Sequence, residues 1–246
     1  MKRCLLIILF GFLYISCQSE SVIEKQDTIT VFEEQEPEPE IILSSNPTLK
    51  ILSLGDSYTI GESVCKTCRF PEQLKSRLLN KISNIDIDLE IIAQTGWTTS
   101  VLKQAIANSN IGTDQDLVTL LIGVNNQYQG VPFKTFETEF SELVASAIKF
   151  AKGKKEKVII ISIPDYAYTP FGQGNQSISS AIDVYNNFIY NFCQTHDISY
   201  VYITDITREG LEQPNLVASD GLHPSGLAYG QFVDLIIPLA EEKIEE

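Results

Sequence analysis

The sequence predicts a three-layer α/β/α domain built around a parallel β-sheet. Apolar runs typical of strands alternate five times with amphipathic segments typical of helices, and no hairpin signal joins two strands. Ser57, Gly96 and Asn125 each lie just past the end of a predicted strand. Because right-handed crossovers bring the carboxyl ends of parallel strands to one edge, we expect a doubly wound sheet with its ligand site there.

The first half of the domain is predicted to contain three strands and two helices. Residues 49–54 form an apolar run that stops at a glycine, which is typical of a parallel strand buried on both faces. A helix is predicted from Pro71, because proline is favoured in the first turn and leucines follow at helical spacing. Residues 85–93 alternate Ile or Leu with Asp or Glu, which indicates a strand nearer the sheet edge. A helix over residues 99–108 and a buried strand over residues 117–122 follow.

The second half continues the alternation of strands and helices. Residues 135–152 carry aromatic and aliphatic side chains at helical spacing, and Ser225 can cap a helix over residues 226–245. A run of valine and isoleucine ends at Pro164, which indicates a strand followed by a loop. The other predicted elements are a strand over residues 158–163, a loop over residues 165–176, a helix over residues 177–196 and a strand over residues 200–203.

The N-terminus differs in composition from this domain. Two basic residues precede an apolar run over residues 4–15 that is too short to span a membrane comfortably, and a small serine precedes Cys17. Residues 13–17 resemble a bacterial lipobox, in which the cysteine is lipidated and becomes the mature N-terminus. We therefore predict a signal peptide over residues 1–16, with a simple secretory signal or an uncleaved anchor as the alternatives.

An acidic linker is predicted over residues 17–47. Its glutamates and aspartate face a single lysine, and Pro37 and Pro39 interrupt any helix, so the segment should stay extended as a tether. A calcium or partner site is the alternative for this charge run. With a lipid on Cys17, the tether predicts a protein exported to the bacterial cell envelope, with the outer membrane as the expected site. The lipid would then be its only contact with the membrane.

The net charge of the chain argues against binding to polyanions. The chain of 246 residues has a formal net charge of −14. Such an acidic surface is a poor candidate for electrostatic binding to nucleic acid or to anionic lipid headgroups.

The cysteines of the domain form one close pair and one single residue. Cys65 and Cys68 are spaced as CxxC, but two cysteines without a second pair do not make a zinc site, and a thioredoxin-like context is absent. In an exported protein this spacing favours a small loop disulfide over two free thiols. Cys193 lies on an apolar stripe and is expected to be buried and inert. No metal site is predicted.

A possible nucleophile follows the first strand. Gly55, Asp56 and Ser57 form a tight turn that can expose the serine hydroxyl, which becomes an effective nucleophile when a base takes its proton. His223 lies in the loop after the last predicted strand, and Asp220 can fold back onto its imidazole. The aspartate would fix the tautomer and stabilise the imidazolium, so these residues predict a Ser-His-Asp triad.

Acyl transfer also needs hydrogen-bond donors for the developing oxyanion. The backbone N–H of Ser57 can supply one, and Gly96 can present a second because no side chain obstructs its backbone. The side-chain amide of Asn125 can supply a third. Trp97 and Tyr128 lie in loops at the same edge and are candidate substrate-binding residues, with loop packing as the alternative. The other aromatics of these loops could also line an acyl or sugar pocket, namely Phe133, Tyr166, Tyr168 and Phe171.

Four short segments, in this order, resemble the sequence blocks of the SGNH hydrolase family, also called GDSL esterases and lipases. The matching segments are residues 55–58, Gly96, residues 123–126 and residues 220–223. The resemblance extends over residues 49–245. Asn126 stands where the family usually has Asp, which leaves the catalytic residues in place but indicates a different loop geometry.

The resemblance implies a domain over residues 48–246 with a flavodoxin-like sheet of five parallel strands. It also implies hydrolysis of carboxylic esters by Ser57, His223 and Asp220, without a metal ion or a cofactor. The three donors named above would form the oxyanion hole.

The expected substrate is a small-molecule or carbohydrate ester with a short acyl group, such as O-acetyl on a sugar. This expectation rests on the acidic domain and on the lack of a long apolar lid segment. One alternative is a lysophospholipase or thioesterase of the same family. Another is a non-catalytic, flavodoxin-like lipoprotein whose residues 55–63 bind an anion through backbone N–H groups, and a third is an adhesion or scaffold lipoprotein.

Overall fold

The computed structural model describes residues 46–245 of the chain. The predicted signal peptide over residues 1–16 and the lipidation site Cys17 lie outside the described residues, as does all but the end of the linker over residues 17–47. The first strand begins at Thr48. No helix within the described range is long and apolar enough to cross a lipid bilayer.

Five parallel strands form one sheet in the order β2-β1-β3-β4-β5. They are β1 (Thr48–Gly55), β2 (Asp86–Ala93), β3 (Leu117–Leu121), β4 (Val158–Ile161) and β5 (Ser199–Val201). Because β1 lies between β2 and β3, the chain first winds one way and then returns to wind the other way. This is the doubly wound, flavodoxin-like topology, so the predicted fold class is confirmed.

The register of the sheet aligns three strand ends. Gly55 at the end of β1 pairs with Ala93 of β2 on one side and with Leu121 of β3 on the other. The segments that follow these residues therefore leave the sheet side by side at its carboxyl edge. Strand β2 lies at the edge of the sheet, as its alternating sequence predicts, and the central strands β3 and β4 are buried throughout.

Helices cover both faces of the sheet. Those of the described part of the chain are α1 (Ser57–Ile60), α2 (Phe70–Lys81), α3 (Thr99–Ala107), α4 (Val124–Tyr128), α5 (Phe133–Phe150), α6 (Gln176–His196), α7 (Thr204–Arg208) and α8 (Gly226–Glu245). Helix α2 packs on α8, and α5 packs on α3 and, through aromatic rings, on α6. Right-handed crossovers place these two groups on opposite faces, which completes the three layers.

Element boundaries differ from the predicted ones by a few residues. Helix α5 begins before residue 135 because Pro132 precedes it. The carbonyl oxygen of Pro132 accepts hydrogen bonds from the N–H groups of Thr135 and Phe136. Strand β5 ends before residue 203 because the Ile203 N–H donates to Ser162 Oγ, at 2.8 Å, instead of to a neighbouring strand. The Ala228 N–H donates to Ser225 Oγ at 3.3 Å, which is the cap predicted for α8.

Candidate active site

The turn between β1 and α1 places Ser57 at the carboxyl edge of the sheet. A Cβ atom at Gly55 would lie 2.5 Å from the carbonyl oxygen of Leu121 and would also collide with Thr59. Glycine is therefore required where the chain leaves β1 between its neighbour strand and the new helix. Ser57 follows as the first residue of α1, almost entirely buried at 3% exposure.

Asp56 connects this turn to the neighbouring loop. It caps α1, with Oδ1 accepting the Tyr58 N–H at 3.0 Å, while Oδ2 lies 3.4 Å from the amide nitrogen of Asn125. Burial raises the pKa of Asp56 to about 7, although the hydrogen bonds from Tyr58 and Asn125 oppose the rise. Its position fits a residue that braces the turn.

His223 and Asp220 form a close pair in the loop before α8. The imidazole Nδ1 lies 2.6 Å from Asp220 Oδ2, and Oδ1 of the same carboxylate accepts the N–H groups of Leu222 and His223 at 2.9 and 3.0 Å. Because Nδ1 is held by the carboxylate, Nε2 is the ring nitrogen available to a reacting group. The Tyr58 ring, 5.1 Å away between centroids, packs against the imidazole.

The carboxylate of Asp220 is held in its ionised form. Partial burial alone would raise its pKa, but hydrogen bonds from His223, from the Ser63 hydroxyl and from two backbone N–H groups outweigh that effect. They hold the pKa of Asp220 well below its usual range. A negative charge therefore faces the imidazole at neutral pH, where it can stabilise an imidazolium.

One pocket of about 270 Å³ brings the predicted residues together. Ser57, His223, Gly96 and Asn125 all line it, although they come from four distant parts of the sequence. Asp220 stands behind His223, where its carboxylate holds the imidazole. The lining includes no Asp, Glu, Lys or Arg side chain. The pocket can thus present a hydroxyl, an imidazole and several donors to a neutral ligand.

Gly96 is required for its backbone conformation. Its φ of +84° lies in the left-handed region, and a Cβ atom there would meet nothing within 4 Å. This corrects the sequence-based reason, which was that a side chain would obstruct the backbone. The Gly96 carbonyl accepts the amide of Gln129 at 2.9 Å, which ties the loop to the region after α4.

Asn125 is placed by the glycine that precedes α4. Gly123 has a φ of +137°, and a Cβ atom there would lie 2.8 Å from the Phe136 ring. The chain can turn sharply into α4 only with glycine at this point, and Asn125 then reaches the pocket in the first turn.

Asn126 has a role that the sequence did not indicate. Its side chain is completely buried, and it makes two hydrogen bonds to Thr99 at the start of α3. It thereby ties the end of the Gly96 loop to the helix that carries Asn125. The motif match pointed to this position only as a departure from the family pattern.

Aromatic rings form the outer wall of the pocket. Tyr128 lines it as predicted, with the Tyr166 and Phe171 rings each 6.1 Å away between centroids, and both of these also line it. Trp97 is half-buried against the hydrophobic core and is not among the lining residues. Of the other loop aromatics named from the sequence, Tyr166 and Phe171 line the pocket, and Phe133 and Tyr168 do not.

The cysteines of the described chain have no role in the pocket. Cys65 and Cys68 are joined in a disulfide, and Cys193 is buried, which raises the pKa of its thiol to about 12 and leaves it unreactive. Across residues 46–245 no group of three or more His, Cys, Asp or Glu side chains is placed to hold a metal ion.

Solved structures with the same fold include several esterases. A lipase/acylhydrolase from Enterococcus faecalis is 20% identical, with a TM-score of 0.62 over 79% of this chain and 95% of that one. The psychrotrophic esterase EstA from Pseudoalteromonas sp., in a structure inhibited by monoethylphosphonate, is 16% identical. Its TM-score is 0.57, and the match covers 80% of this chain and 99% of that one. A variant of an acetyl xylan esterase from Geobacillus stearothermophilus is 17% identical. Its TM-score is 0.58, and the match covers 79% of this chain and 95% of that one. At these identities the likeness shows the shared fold.

The sequence itself carries the family relationship. No protein of curated function matches it. The sequence profile of the GDSL-like lipase/acylhydrolase family, however, matches residues 53–230. This match includes all four segments that line or support the pocket. The chain therefore belongs to the GDSL-like lipase/acylhydrolase family.

Proposed function

We propose that this protein is a serine esterase that hydrolyses neutral esters with short acyl groups, such as O-acetyl groups on carbohydrate. The observation that carries the proposal is that Ser57 and His223 line the same pocket, with His223 held by the ionised Asp220. An anion-binding module would have no need for this arrangement of base and acid.

In the proposed first step, Ser57 Oγ attacks the acyl carbonyl while its proton passes to Nε2 of His223. Asp220 keeps the imidazole in the required tautomer and stabilises the imidazolium that forms. The oxyanion accepts hydrogen bonds from the N–H groups of Ser57 and Gly96 and from the amide of Asn125. The Ser57 N–H suits this role because the first N–H groups of a helix have no acceptor within it.

In the remaining steps the tetrahedral intermediate collapses and the protonated His223 gives its proton to the leaving alcohol. An acyl group then remains on Ser57. His223 next takes a proton from water, the water oxygen attacks the acyl carbonyl, and the acid is released as the serine recovers its proton.

The size and lining of the pocket support a small, neutral substrate. Its volume of about 270 Å³ falls just below the range of roughly 300–1,000 Å³ that is usual for small-molecule pockets. No cationic side chain lines it to bind a phosphate group, which disfavours a lysophospholipid. The rings of Tyr128 and Phe171 can pack on a sugar or on a short acyl group.

Two of the structural neighbours are in agreement with this proposal. The Geobacillus protein is an acetyl xylan esterase, and the Pseudoalteromonas esterase is inhibited by a phosphonate. Phosphonates of this kind react with activated serine hydroxyls, as the proposed mechanism requires of Ser57.

The experiment compares hydrolysis rates on p-nitrophenyl acetate, p-nitrophenyl octanoate, acetylated xylooligosaccharides and a lysophospholipid. We expect the acetyl esters to be the best substrates and Ser57→Ala to be inactive and unlabelled by a fluorophosphonate. A strong preference for octanoate or lysophospholipid would overturn the assigned substrate class. Full activity in Ser57→Ala, or labelling of that variant equal to the unmodified protein, would overturn the mechanism.

A further inference from the structure

We propose that Ser63 is a positioning residue for the Asp220–His223 pair. Its hydroxyl donates a hydrogen bond of 2.7 Å to Asp220 Oδ2, the same oxygen that lies 2.6 Å from His223 Nδ1. This inference rests on the proposed function and adds a residue that no sequence motif of the family marks.

The Ser63 bond completes the set of donors around the carboxylate. Asp220 Oδ1 accepts two backbone N–H groups of its own loop, so among residues 46–245 the partners of Oδ2 are His223 and Ser63. The Asp220 side chain is 28% exposed, and water can compete for Oδ2 once the hydroxyl is removed. The hydroxyl therefore keeps the carboxylate oriented toward the imidazole.

The backbone of Ser63 indicates that the side chain is the reason for serine at this position. Its φ of 62° lies in the left-handed region, where glycine is favoured and asparagine or aspartate is better tolerated than other residues. A position with this backbone and no further role would suit glycine. A strained residue whose side chain contacts a catalytic acid is a candidate for a functional role.

The segment that carries Ser63 begins at the nucleophile. The N–H groups of Gly61 and Glu62 both donate to the carbonyl oxygen of Ser57 at 3.0 Å. The Glu62 carboxylate also accepts a hydrogen bond from Thr95, next to Gly96. Ser63 thus lies in a short hydrogen-bonded segment between Ser57 and Asp220, which are 163 positions apart in the sequence. Its hydroxyl makes the contact with Asp220.

Ser63 does not line the pocket, so its loss should affect catalysis more than substrate binding. The distinguishing measurement is therefore the division of the effect between kcat and KM. A second measurement is the far-downfield proton NMR signal of the His223 Nδ1–H, which depends directly on how the Asp220 oxygen is held. A residue that merely stabilised the loop would change neither of these.

The test uses Ser63→Gly and Ser63→Ala on the full chain with p-nitrophenyl acetate as the probe. Both variants lack the hydroxyl, but glycine also suits the backbone, so it should be at least as stable as serine. We expect kcat to fall about tenfold in both, with KM within about twofold and a displaced Nδ1–H signal. Asn84→Gly is the matched control, since Asn84 has a φ of 58° far from the pocket, and it should leave activity unchanged.

The inference is overturned if either folded Ser63 variant keeps the kcat of the unmodified protein, or if the loss appears in KM alone. Ser57→Ala separates this failure from that of the proposed function. If Ser57→Ala is inactive and Ser63→Gly is fully active, only the role of Ser63 is lost. If Ser57→Ala is active, the proposed function itself is wrong.

Discussion

Asn126 and Thr99 are joined by two hydrogen bonds, one of 3.0 Å from the Thr99 N–H to Asn126 Oδ1 and one of 2.7 Å from Asn126 Nδ2 to Thr99 Oγ1. Thr99 begins the helix that follows the Gly96 loop, and Asn126 is the neighbour of Asn125. The distance between two of the three proposed oxyanion donors, the Gly96 N–H and the Asn125 amide, therefore depends on this one buried contact. Thr99 Oγ1 also donates to Glu139 of α5, which holds the contact from a third side.

Asn126→Ala should lower both stability and kcat. The substitution leaves the buried Thr99 N–H without its acceptor, which should cost about 1–3 kcal/mol of unfolding free energy. Misaligned oxyanion donors should reduce kcat on the order of tenfold. Urea denaturation and steady-state kinetics measure the two effects. As a control, Asn175→Ala removes the side-chain cap of α6 and should lose stability while keeping kcat. Unchanged kcat in Asn126→Ala would contradict the positioning role.

Gly96→Ala should reduce kcat although the site has room for a methyl group. Its positive φ disfavours alanine by about 1 kcal/mol, and relaxation of the backbone would turn the N–H away from the oxyanion. We expect kcat to fall on the order of tenfold. Gly153→Ala is a matched control, because Gly153 has a φ of +77° and open space but lies after α5. Equal effects of the two substitutions on kcat would argue against a role for the Gly96 N–H.

Asp56→Asn should change how stability depends on pH. The pKa of Asp56 is about 7 in the folded protein against an ordinary value of 3.8, so between these values the folded state binds more protons than the unfolded state. Its contribution to stability is therefore complete below about pH 4 and is lost as the pH rises toward 7, on the order of 4 kcal/mol.

The measurement is urea denaturation at several values between pH 4.5 and 7.5. Asn keeps an acceptor for the Tyr58 N–H and does not titrate, so the difference in stability between Asp56→Asn and the unmodified protein should grow with pH. The pKa of Asp220 is lowered, so its effect on stability appears mainly below this pH range and is the same in both proteins. Parallel curves for the two proteins would show that Asp56 is ionised throughout.

Tyr128→Ala should weaken substrate binding more than the chemical step. The ring lies on the outer wall of the pocket and is 58% exposed, so its removal should not disturb the core. We expect KM for an acetylated xylooligosaccharide to rise about fivefold, with a smaller change in kcat. Tyr190→Ala removes a similarly exposed tyrosine from α6 outside the pocket and serves as the control. An unchanged KM would remove Tyr128 from the substrate site.

Cys17→Ser should release the protein from the membrane fraction of a bacterial expression host. The residues around Cys17 resemble a lipobox, and a serine cannot accept the lipid through a thioether. Metabolic labelling with a radioactive fatty acid should mark the unmodified protein and not the variant. Membrane association of Cys17→Ser equal to that of the unmodified protein would contradict a lipid anchor at this residue.

The sequence by itself determined the order of the long elements and the main polar residues at the sheet edge. Periodic apolar patterns report burial directly, so five strands and five long helices could be predicted within a few residues. The short helices α1, α4 and α7 could not, because elements of four or five residues are too short to show a period. Ser57, Gly96 and Asn125 could be placed because a parallel strand must end at the same edge as its neighbours.

Only the tertiary structure decided which side chains touch. Trp97 and Tyr128 were equal candidates, but the sequence of a loop does not say which way its side chains point, and only Tyr128 reaches the pocket. Ser63 and Asp220 are 157 positions apart, and no local pattern links them. Their contact exists because two loops from distant strands pack at one edge, where burial and hydrogen bonding select a single arrangement.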